Sequence, residues 1–242
     1  MKKIILTLLL TAVCHVHALP IPNKLLENHV GIAADKQWTL LEKIGNEPEW
    51  QVNLNTGKIQ FNQQEFDAQV IGSYAQSDRS WLWAWANVQS GLSENVLRDS
   101  QKLRDYGKHH QIKWLTQAKH RPYQEQNIHE LASIAVGITG ADGYYLARTD
   151  NMIVVLTVRH TKQPTQASVQ QQHLHIITTI PKIIGSFSLN NHQRVIEHYL
   201  HQKGYQTQMR QSILTARKDT HCLKAKFDKQ KRLAELLGQC DE

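Results

Sequence analysis

Three tryptophans at strict alternation constrain this fold most: Trp81, Trp83 and Trp85, in the stretch SWLWAWAN from Ser80 to Asn87. On an extended strand, residues two apart share a face. The three rings should therefore point one way, with Leu82, Ala84 and Ala86 pointing the other. Both faces are apolar, which predicts a central strand with a helix packed close on the small-residue side. Burying one tryptophan removes about 150–250 Å² from water, and three exposed rings would form a patch larger than soluble monomers usually carry. The core therefore claims them first. The alternative is that one or two rings line a partly covered cleft at the strand end, where Tyr74, Arg79, Trp83, Trp85 and Asn87 would be the ligand-binding residues.

Around this strand the pattern is α+β on antiparallel sheet. Leu26, Val30, Ala34, Trp38 and Leu41 recur at helical spacing, and Gly45 and Pro48 end that helix. Trp50, Val52 and Leu54 alternate into Asn55-Thr56-Gly57, and Ile59 and Phe61 alternate out of it, which reads as a hairpin. Glu65 to Ala75 continues as a strand, and a turn at 77–80 feeds the tryptophans. Ser93 is expected to cap a helix that ends at Gly107. A second helix should follow Pro122, with Ile128, Leu131, Ile134 and Ile138 inside. Tyr144 to Ala147 and Met152 to Val158 pair as strands. After these come a strand from Leu174 to Ile180, a helix capped by Asn190 or Asn191 and ended by Gly204, and strands at 205–216, 221–227 and 232–237.

The first 18 residues read as a signal peptide rather than as structure. Lys2 and Lys3 precede a short apolar run, and Val16-His17-Ala18 offers small residues for cleavage after Ala18. The run is shorter than the roughly 20 residues that span a bilayer, and no later segment approaches that length. Cys14 raises lipidation as the competing reading, against which Val13 is bulky. Cleavage would lower the formal charge from +7 to +5 by removing two lysines. It would leave Cys222 and Cys240 as an even pair in an oxidising compartment, expected to form a disulfide closing a C-terminal helix-and-hairpin region. The organisation is then a helix-and-sheet region at 19–160, a polar loop or linker at 161–172, and a strand-helix-hairpin region at 173–242 on the same core.

One stretch resembles an uncharacterised bacterial domain family. Gly72-Ser73 is followed by the W-x-W-A-W-A-N-like strand and then by a helix with Leu103-Arg104 and Gly107. Gly143-Tyr144-Tyr145 and the segment from Lys224 to Leu236 look similar as well. The resemblance implies a fold but no activity, since the family has none established.

Chemistry is sparse in the sequence. His173 and His175 share a face if they lie on a strand, and His198 and His201 have helical spacing, but neither pair has a carboxylate or cysteine in a zinc spacing. No metal or other cofactor is expected. Gly72-Ser73-Tyr74-Ala75 lacks the second glycine of a nucleophile elbow, and there is no phosphate loop or dinucleotide fingerprint. Glu125 and Glu130 beside His129 read as ordinary surface composition. Lysines and arginines are dispersed, unlike a nucleic-acid module. The reading is an exported, periplasmic binding or interaction protein with a protein partner, in a narrower form an immunity-type protein. The alternative is an enzyme or small-molecule carrier with its cleft beside the tryptophan strand.

Overall fold

The computed structural model describes residues 20–121, 124–161 and 167–240. The expected signal peptide with Cys14, Pro122 and the middle of the expected linker lie outside them. Helix α1 (Asn23–Ile44) precedes strands β1 (Trp50–Asn53), β2 (Lys58–Phe61), β3 (Gln64–Ala75) and β4 (Ser80–Trp83). Helices α2 (Arg98–His109) and α3 (Lys113–Thr116), strand β5 (Lys119–His120), helix α4 (Gln126–Thr139), and strands β6 (Gly143–Arg148) and β7 (Met152–His160) follow. The C-terminal part comprises helices α5 (Val169–Ser186) and α6 (His192–Gln202), then strands β8 (Gln206–Arg210), β9 (Ile213–Lys218), β10 (His221–Phe227) and β11 (Leu233–Leu237).

The fold is α+β with two antiparallel sheets. In the first, β3 is the spine: β2 and β4 take successive parts of one edge, and β7 runs along the other with β6 outside it. The second sheet has the order β11-β10-β9-β8, and the Cys222–Cys240 disulfide joins β10 to the chain just past β11. One cluster of buried side chains runs from Val30 and Trp83 through Ile180 and Tyr199 to Leu223 and Phe227. A second lies on the other side of the first sheet, around Leu40, Ile59, Phe66 and Leu156.

Trp81 and Trp83 are core, each 1 % exposed. Their rings meet edge to face, and Trp83 meets Trp114 in the same way, with centroids 5.3 Å apart in both pairs. β4 lies between β3 and β5, as a central strand should. Alternation stops at Trp83, however. Ala84–Ala86 is a 3₁₀ turn, so Trp85 does not share the face of the other two. It is half-buried, with its backbone N–H donating to the Ser100 hydroxyl at 2.9 Å and the Arg104 guanidinium 5.0 Å from its ring centroid.

Four other expectations are corrected. Leu174 to Ile180 is helix, within α5, so His173 and His175 are not on a strand. The Ser168 hydroxyl accepts from the Gln171 N–H and the Gln171 side chain accepts from the Ser168 N–H, a capping box that starts the helix inside the expected linker. Residues 205–216 are a hairpin, β8 and β9, rather than one strand. Ser93 precedes a 3₁₀ turn at Glu94–Val96 and bonds Asn95, while α2 begins at Arg98 and runs past Gly107.

The C-terminal part is seated on one stripe of α1. Glu27, Gly31 and Asp35 are four residues apart, so they share a helix face. Glu27 accepts from the N–H groups of Asn190 and Asn191 at 3.2 and 2.9 Å and from Arg194 at 3.1 Å. Gly31 admits α6: a Cβ there would fall 2.8 Å from that of Tyr199. Asp35, 3 % exposed, accepts from the Tyr199 hydroxyl at 3.0 Å and pairs with Lys203 and His175. Burial pushes the Asp35 carboxyl up, but the charges and hydrogen bonds of Lys203 and His175 outweigh it and hold the group below the ordinary carboxylate range.

Candidate functional site: an aromatic cleft between α1, α4 and β6

The residues expected to bind a ligand beside the tryptophan strand do not converge on an opening. Tyr74 is buried, Trp83 is core and donates its indole N–H to His120 at 3.2 Å, and Arg79 is exposed on the turn after β3. Trp85 packs against Arg104. Asn87 lines a concavity near β4, on the strand face opposite to the Trp81 and Trp83 rings. The concavity measures about 240 Å³ and is walled by Gly72, Leu82, Ala84, Leu92 and Val154.

The larger cleft, about 720 Å³, lies elsewhere. Its walls come from four places: Gln37 and Trp38 on α1, Trp50 opening β1, His129 and Ser133 on α4, and Tyr144, Tyr145 and Arg148 on β6, with Phe187 closing one side. The local causes are readable. Gly143 lets α1 lie against the start of β6, since a Cβ there would fall 2.6 Å from the Leu40 side chain. The Gln37 carboxamide oxygen accepts from the Tyr144 N–H at 2.8 Å and fixes the strand's entry. On β6, Tyr145 is held edge to face between Trp50 and Phe61. The polar face of α4 supplies Ser133 and His129, whose Nδ1 lies 2.8 Å from the Tyr144 hydroxyl.

The electrostatics of this cleft are muted. Burial pushes the Tyr144 phenol up to about 12. Burial, and then the Arg148 charge, hold His129 below the ordinary imidazole range. Both are therefore neutral near pH 7 and offer hydrogen bonds without charge. Arg148 pairs with Glu125 at the rim, which offsets its charge. Apart from the exposed Glu47 carboxylate on its wall, the cleft presents flat aromatic surface with several uncharged donors and acceptors, a lining suited to an uncharged polar molecule with an apolar face. Among the described residues no group of three histidine, cysteine or acidic side chains is placed to hold a metal.

Sequence reasoning missed this site. His129 and Glu125 were legible only as surface composition, and Trp38, Trp50 and Tyr144 only as pattern residues of a helix and two strands. The residues that carry the family resemblance do meet, but as packing. Gly72 lies under the Trp81 ring, Leu103 is fully buried, and Gly107 gives α3 its seat, since a Cβ there would fall 2.5 Å from that of Leu115.

Residues 23–161, more than half of the chain, match DUF6882, a family of unknown function. Nearly all of the cleft lies inside that match, with Phe187 outside it. No curated protein and no solved structure matches the chain.

Proposed function

We propose that this chain, which belongs to the DUF6882 family, is an exported binding protein whose ligand is a small uncharged molecule held in the aromatic cleft. The observation that carries the reading is the lining: Trp38, Trp50, Tyr144 and Phe187 around a neutral His129–Tyr144 pair. A saccharide ring has the matching chemistry, a C–H face to lie on an indole and hydroxyls to bond imidazole, phenol and the Ser133 hydroxyl. The Cys222–Cys240 disulfide supports the exported part, because such bonds persist in oxidising compartments.

The test is native mass spectrometry of protein taken from the periplasm, followed by thermal-shift measurements with neutral mono- and oligosaccharides. A bound mass or stabilisation that Trp50→Ala abolishes is expected, with little change in the unliganded melting temperature because Trp50 is already 37 % exposed. Saccharide binding that survives both Trp50→Ala and Tyr144→Phe would place the ligand elsewhere. Failure of every saccharide, together with one protein partner captured by crosslinking in the periplasm, would replace this reading with the immunity-type one.

A further inference from the structure

The second sheet has one face in the core and one in solvent. Leu214, Ala216, Leu223, Ala225 and Phe227 point inward and are buried. Register fixes what points outward. Arg210, Ile213, Lys226 and Glu235 form one row across β8, β9, β10 and β11, and Gln208, Thr215, Lys224 and Leu237 form the next. Arg217 follows, paired with Gln206. Among the described residues Arg210, Arg217 and Lys226 are exposed and held in no ion pair. Two large apolar side chains stand among these cations in solvent, Ile213 at 39 % and Leu237 at 41 % exposed. Glu235 is the single acid of the face.

The charge of the whole chain points the same way. Residues 19–166 carry 15 lysines and arginines against 15 aspartates and glutamates, whereas residues 167–242 carry 11 against six. Residues 19–166, which contain the family-matched part, are thus neutral, and the C-terminal part holds the full +5 expected after signal cleavage. A flat face that combines cations with protruding aliphatic side chains meets the two requirements of an anionic bilayer surface. Its phosphates attract the cations, and its acyl boundary accepts the apolar side chains. A soluble polyanion would reward the cations alone and leave Ile213 and Leu237 in water.

We propose that the solvent face of this sheet docks the protein peripherally on an anionic lipid bilayer. No residue of this sheet lines the aromatic cleft, and the use of the surface does not depend on what the cleft holds. The experiment is vesicle co-sedimentation of the full chain at low salt, with mixed phosphatidylglycerol and phosphatidylcholine against phosphatidylcholine alone. Binding only to the anionic vesicles is expected. It should fall at least about tenfold with Arg210→Glu plus Lys226→Glu, and measurably with Ile213→Ser plus Leu237→Ser. Circular dichroism checks that each variant is folded, and Arg217→Glu serves if the charge pair is not. No binding to anionic vesicles, or binding that the charge variants leave intact, overturns the proposal. So does vesicle binding indifferent to the apolar pair, or heparin binding without vesicle binding, either of which would make the face a site for soluble polyanions.

Discussion

Gly72→Ala tests the packing of the tryptophan strand at its tightest point. A methyl at Gly72 would sit 2.4 Å from Cζ2 of Trp81 and 2.5 Å from the Leu82 carbonyl oxygen. The ring can move, but the oxygen belongs to β4, held in register with β3 through the Gly72–Trp83 and Ser73–Leu82 pairs. Relief therefore means shifting the strand or expelling the ring. Strain of the first kind costs about 1–3 kcal/mol. Full expulsion of the 1 % exposed ring would return about 150–250 Å² to water, about 4–6 kcal/mol at 25 cal/mol per Å². Alanine recovers up to about 1 kcal/mol through a less flexible unfolded chain. The strand shift is the cheaper relief, so we expect a net loss of about 1–3 kcal/mol, a sizeable part of the roughly 5–15 kcal/mol that holds a domain folded. Urea unfolding followed by tryptophan fluorescence and far-ultraviolet circular dichroism measures it. In the double variant Gly72→Ala/Trp81→Phe the smaller ring should recover about 1 kcal/mol or more relative to the sum of the singles. A loss below about 1 kcal/mol, or strict additivity, would refute the claim that the Trp81 ring excludes a side chain there.

Three further outcomes follow from the same fold. Replacing Cys222 and Cys240 by serine should cost about 3 kcal/mol, the loop entropy for a separation of 18 residues; equal melting temperatures for oxidised and reduced protein would contradict this. Asp35→Asn removes the partner of Lys203 on the α1–α6 stripe and should destabilise by about 1.5–3 kcal/mol, the worth of hydrogen bonds to a charged group. Amide exchange in α6 should rise first, and α6 protection unchanged from wild type would count against the stripe as the seam. His29 has both ring nitrogens buried without a hydrogen-bond partner among the described residues, and burial lowers its pKa from 6.5 to about 4. The unfolded chain binds that proton below about pH 6.5 and the folded chain only near pH 4. Stability attributable to this group is thus full above pH 6.5 and declines by up to about 3 kcal/mol as pH falls to 4. A His29→Phe variant should lack that part of the slope in unfolding measured across this range, and identical slopes would disprove it.

The sequence was legible wherever local pattern and tertiary contact agree. α1, the β1–β2 hairpin, β6 and β7 all follow from periodicity and turn residues, and the Cys222–Cys240 bond from the pairing of the last two cysteines. It misled at 174–180, where Leu174, Ile176 and Ile180 suggest a strand rich in β-branched residues. There the buried set is His173, Ile176, Ile180 and Ile183, a helical stripe facing the core, and the Ser168-x-x-Gln171 capping box was the local signal that could have decided it. It misled again at Trp85, because a period of two says nothing about where a strand ends, and β4 turns after four residues.

The cleft was illegible for a different reason. Trp38, Trp50, His129 and Tyr144 come from four separate elements and Phe187 from the chain just past α5, and no fixed spacing relates any two of them. What brings them together is contact across the fold: Gly143 seating α1, Gln37 fixing the entry of β6, and the α1 stripe of Glu27, Gly31 and Asp35 holding the C-terminal helices, and with them Phe187, in place. Each of these three contacts stabilises the fold whether or not a ligand exists, so a motif search has no chemical signature to find. The dependence can still be measured. If the stripe positions Phe187, then loosening it with Asp35→Asn should weaken ligand binding in a protein whose cleft walls from α1, α4 and β6 are unchanged.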